Sequence, residues 1–131
     1  MLVYTSLMFF SASAILAFCF VVSARSFALS AAISAASVLA AEAPLMVMED
    51  SLAALRLAAT LKGRSNRMLE SDIFVAALHL YAGIRSAYYN VEANMPAIEK
   101  ADPALALEMR QHTADILSDA NEIFAELSGK K

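Results

Sequence analysis

Glu108, His112 and Asp115 are the residues of this chain whose types and spacing come closest to chemistry. Steps of four and three residues put all three on one face of a helix. His79 and Asp72 occupy a second helical segment upstream. Carboxylates and imidazoles shared between facing helices are the raw material of a carboxylate-bridged metal site. Such sites use Glu-x-x-His pairs, however, and that spacing is absent. His112 also coincides with an apolar stripe, so the expectation is a hydrogen-bonded histidine inside a helical core and not a ligand. No glycine-rich phosphate loop, Cys/His metal spacing or nucleophile motif appears elsewhere. The single cysteine, Cys19, lies in an apolar run and reads as a filler. Neither a catalytic residue nor a cofactor is expected.

The segments that would position these side chains are helical. Gly and Pro total six residues in 131, and 60% of the chain is hydrophobic, against roughly 45–50% in an ordinary soluble domain. The excess lies in the first 48 residues. From Leu2 to Ala24 no charge occurs, and about 20 apolar residues suffice to cross a bilayer. A cleaved secretory signal would carry a basic leading region, and none precedes Arg25. The stretch is therefore expected to be a retained transmembrane helix, with Tyr4 at one interface.

Residues 26–41, SFALSAAISAASVLAA, are also uncharged but rich in Ala and Ser. They read either as a second span turning at Arg25 or as a continuation of the first helix beyond the membrane. The lack of Gly and Pro in VVSARSF favours continuation. Alanines recur at helical spacing, and Ala28, Ala32, Ala35 and Ala36 are expected to form a small-residue face for close helix packing.

Pro44 marks an expected helix start or kink. The apolar stripes that follow define three helices, about 44–62, 67–95 (ended by Pro96) and 103–128. The last opens at Asp102-Pro103, an N-cap followed by proline at the first helical position. The expected fold is all-α: a membrane anchor with an Ala/Ser-rich helical extension over 1–43, then a small helical bundle or αα-hairpin over 44–131.

Charge is segregated along the chain. Arg56, Lys62, Arg64 and Arg67 crowd residues 51–67, whereas 68–129 carries ten acids against Arg85, Lys100 and Arg110. With Arg25, the four basic residues are expected at anionic lipid headgroups. They also place the bulk of the chain in the cytoplasm, with the N-terminus outside a bacterial-type inner membrane. A formal net charge of −3 gives no pull toward nucleic acid. Tyr81, Tyr88 and Tyr89 are expected near one face, either packing at an interhelical rim or contacting a protein.

The function expected from these features is non-catalytic. The chain reads as an accessory, assembly or scaffold subunit of a larger inner-membrane complex, with other membrane subunits, copies of itself and lipids as partners. The alternative is a self-associating building block of a ring or filament.

Overall fold

The computed structural model describes the backbone of residues 2–129 and the side chains of residues 19–129. The all-α expectation holds: three α-helices and a short 3-10 turn account for the architecture, and no strand occurs among the described residues. Helix α1 runs Leu2–Leu61, α2 Glu70–Ala101 and α3 Pro103–Ser128. The second apolar stretch is not a second span. It continues α1 without interruption.

Two proline boundaries need correction. Pro44 does not start a helix at 44 but lies inside α1. Pro96 does not end the second helix near 95, because α2 continues to Ala101. An interior proline removes one backbone hydrogen bond and crowds the preceding turn, at a cost of about 3 kcal/mol. Packing on both sides outweighs this. Pro44 is followed by Met48, Leu52 and Leu55 and preceded by Ala41, all buried in one core. Pro96 sits between Met95 and Ile98, which are 1% and 0% exposed. A fully buried side chain of that size contributes about 1.5–3 kcal/mol, so two or three of them keep the helix continuous through the defect.

The helices form an up-down-up bundle. Gly83 of α2 faces Ser51 of α1, where an added Cβ would lie 3.7 Å from the serine Oγ. The ends of α2 meet opposite ends of the extramembrane part of α1, with Glu70 near Lys62 and Lys100 near Ser26, so the two helices are antiparallel. Helix α3 returns parallel to α1. Along the apolar stripes, Met48, Leu52 and Leu55 from α1, Ala77, Ile84, Val91 and Met95 from α2, and Met109, Ile116, Ala120 and Leu127 from α3 are buried, with Leu45, Ala59, Leu80, Tyr88, Leu105 and Ile123 half-buried against them. Asp102 caps α3, its carboxylate accepting from the N–H groups of Ala104 and Leu105. Gly129 closes the helix in the left-handed region at φ 70°.

At 1.5 Å per residue α1 is about 90 Å long. Among the described residues one helix, near the N-terminus, is long and apolar enough to cross a membrane; within Cys19–Leu61 only 11% of the most apolar window is buried inside the protein. The side chains of most of the Leu2–Ala24 stretch, and the interfacial position expected for Tyr4, lie outside the described residues.

Replacing Ile84 by Ala, at the centre of the bundle, is expected to lower stability by about 2–5 kcal/mol. Leu57→Ala, on the exposed side of α1, should stay within about 0.5 kcal/mol. Chemical unfolding followed by circular dichroism distinguishes the two.

Candidate functional site

Polar side chains tie α3 to α1 in a ladder. His112 Nε2 donates to Glu49 Oε1 at 2.6 Å. Arg56 donates to Asp119, and Lys62 to the main-chain carbonyls of Glu126 and Leu127. The first two pairs share a sequence offset of 63 residues, as two parallel helices in constant register require. Lys62 completes the ladder by placing a cation on the last carbonyls of α3, where the helix dipole is negative. A shallow groove of about 230 Å³ runs along the ladder beside Asp115.

His112 is therefore not the core histidine expected from the stripe. It is exposed, and Thr113 occupies the buried position, donating to the carbonyl of Arg110 at 3.0 Å. Glu108 does not join it; the carboxylate that holds the imidazole is Glu49, from another helix. The matched seven-residue steps Glu49–Arg56 and His112–Asp119 carried that pairing in the sequence. His79 lies apart, its Nδ1 2.8 Å from the carbonyl of Val75 in its own helix. Among the described residues, no three His, Cys, Asp or Glu side chains gather as metal ligands.

The tyrosines separate. Tyr81 packs internally, stacked on Phe124 with ring centroids 4.5 Å apart and donating from its hydroxyl to Asn121 Oδ1 at 2.7 Å. Tyr88 is half-buried against the core. Tyr89 is 64% exposed. The rim-packing alternative thus describes Tyr81 and Tyr88, and only Tyr89 faces outward.

The five basic residues expected at lipid headgroups do not share one level. Arg25 and Arg56 are separated by about 46 Å along a continuous helix, and Lys62 lies about 9 Å further. That exceeds the thickness of a headgroup layer. Arg56 and Lys62 are also committed to α3, and Arg64 and Arg67 follow at the distal turn, exposed. Arg25 alone of the five directly follows the uncharged Leu2–Ala24 stretch.

The alanine face occupies the side of α1 turned away from the hairpin. Ala28, Ala32, Ala35 and Ala36 are all exposed. The same flank continues through Leu39, Met46 and Leu57, which are 67%, 61% and 66% exposed. One side of α1 is thus covered by α2 and α3, and the other is open, largely apolar and interrupted by the exposed Asp50.

At the hairpin bend, Arg110 donates to Glu99 Oε2 at 2.8 Å. This bond and the adjacent guanidinium charge hold the Glu99 carboxyl below its usual 4.5 and push Arg110 above its usual value.

These features define an all-helical protein with a membrane-length N-terminal helix and a two-helix return packed along its extension. Residues 24–115 match the formiminotransferase-cyclodeaminase family, more than half of the chain, and the protein belongs to that family. The match starts where the uncharged opening ends, and it contains Glu49, Arg56, His112 and Asp115 but not Asp119. No curated protein and no solved structure matches the chain.

Because the folded-state pKa of Glu99 is depressed, its pairing contributes above the usual carboxylate range and is lost as pH falls through the lowered value. An NMR titration of the side-chain carboxyl should give a midpoint below 4.5. In Arg110→Gln the midpoint should rise back toward the ordinary range.

Proposed function

We propose that this protein is a non-catalytic, membrane-anchored docking subunit: an accessory, assembly or scaffold component of a larger membrane complex. The open apolar flank of α1 carries this reading. A helix apolar all round is a buried helix, and the hairpin covers only one side. Ala28, Ala32 and Ala35 lie just beyond the membrane-length segment and allow another helix to approach closely. Leu39, Met46 and Leu57 extend the contact, each worth about 1.5–3 kcal/mol when fully buried. Arg25, the basic residue directly after the anchor, against an N-terminal side without Lys or Arg, favours an N-terminus outside a bacterial-type inner membrane and a bundle in the cytoplasm. A second copy is the alternative occupant. Shared anchoring would align the two α1 helices in parallel and lead to a ring or filament.

A second reading is favoured by the family match and by the Glu49–His112 pair in its groove. A carboxylate-oriented imidazole is a common general acid–base arrangement, and a cyclodeaminase must protonate a departing ammonia. Against this, the pair is exposed and the groove shallow, whereas reactive sites are normally enclosed.

Purification of the full chain in mild detergent tests the proposal. A different membrane protein is expected at fixed stoichiometry, and Ala35→Trp should reduce its recovery at least ten-fold with the helical melting profile unchanged. Recovery of copies of this chain alone would support the ring or filament. A lipid-free monomer dissolved in water would overturn both. Ammonia release from a formimino compound that disappears in His112→Ala would establish the enzymatic reading instead.

A further inference from the structure

The bend between α2 and α3 is the end of the bundle nearest the anchor. There a groove of about 380 Å³ opens between α1 and the last turns of α2, lined by Ser26, Leu29, Ser30 and Ile33 on one side and Ala97 and Lys100 on the other. Its position relative to the bilayer follows from chain length. With Leu2–Ala24 spanning, Arg25 stands at the surface, and Ser26 to Ile33 occupy the next ~12 Å or so along the helix. Headgroup regions extend roughly 5–8 Å on each side of the hydrocarbon, so the upper half of the groove lies within them.

The lining is amphipathic in the matching sense. Leu29 and Ile33 are 63% and 52% exposed and offer apolar contact, while the serines offer hydroxyl groups. Lys100 supplies the charge, and its acidic neighbours are already engaged. Glu99 is held by Arg110, and Asp102 is spent on the N–H groups that open α3. Among the described residues Lys100 forms no ion pair. A cation in the last turn of α2 also suits that helix's dipole. That role alone, however, explains neither the cleft in front of Lys100 nor the apolar residues facing it.

We propose that this groove holds one anionic phospholipid of the surrounding membrane. The phosphate would lie against Lys100 and the serine hydroxyls, and the upper part of an acyl chain along Leu29 and Ile33. The site rests on the membrane-anchored reading, because only that reading brings the groove to a lipid surface. It differs from general attraction to anionic membranes in being local. The distal cations Arg64 and Arg67 lie about 50 Å or more beyond the surface and contribute nothing to it.

Native mass spectrometry of the full chain, extracted from vesicles of equal parts phosphatidylglycerol and phosphatidylcholine, tests this directly. One phosphatidylglycerol per chain should be retained in preference to phosphatidylcholine. Lys100→Gln should reduce that preference about five-fold, the effect expected of one basic residue at the surface, while Lys100→Arg preserves it. Arg64→Gln should leave it unchanged, and millimolar inorganic phosphate should not displace the lipid. Equal retention of both lipids, an equal loss in Arg64→Gln, or displacement by phosphate would overturn the site. Failure of the chain to associate with either vesicle would instead remove the anchor reading, and the site with it.

Discussion

The organising constraint of this structure is that one helix carries a single charge, Arg25, from Leu2 to Ala41, about 60 Å of its length. Water cannot solvate it, so each part of α1 needs a different cover. The Leu2–Ala24 stretch has the length and composition for lipid. The hairpin α2–α3 buries one side of the following segment, and its register is fixed by the polar ladder to α3. The remaining flank is the part that the chain does not cover for itself. The proposed role as a docking subunit is the reading that gives this flank a physical purpose.

The same constraint accounts for the two prolines. In an isolated helix Pro44 would be a boundary, since nothing would offset the lost hydrogen bond. Here Ala41, Met48, Leu52 and Leu55 form one uninterrupted stripe against the hairpin. A break at 44 would pull half of that stripe out of register. Pro96 is tolerated for the same reason between Met95 and Ile98. Tertiary burial overrides local propensity where several large side chains share one rigid face.

Much of the fold was legible because spacing carries it. The stripes through Leu52, Ile84 and Ile116 name the buried faces, and Asp102-Pro103 and Gly129 mark the ends of α3. Position His112 misled because a stripe predicts direction only to within a residue or so. Thr113, one step on, is buried and satisfies its hydroxyl on the backbone, whereas an imidazole at the edge reaches Glu49. Arg56 and Lys62, expected at lipid headgroups, also find partners on α3. Proximity in sequence says nothing of depth once a helix runs straight, and partners on α3 are invisible until the register is known. The family match bears on residues 24–115 and leaves most of the uncharged Leu2–Ala24 stretch outside.

Because α1 passes from the apolar opening into the bundle as one continuous helix, the proposed anchor and the bundle would form a single lever. Transmembrane helices are commonly inclined by about 20°. Some 55 Å of α1 projects past Arg25, so an inclination of that size swings the turn at Gly63 sideways by roughly 20 Å. Bilayer thickness, which governs inclination, thus sets how far from the membrane normal the distal turn and its basic residues are carried.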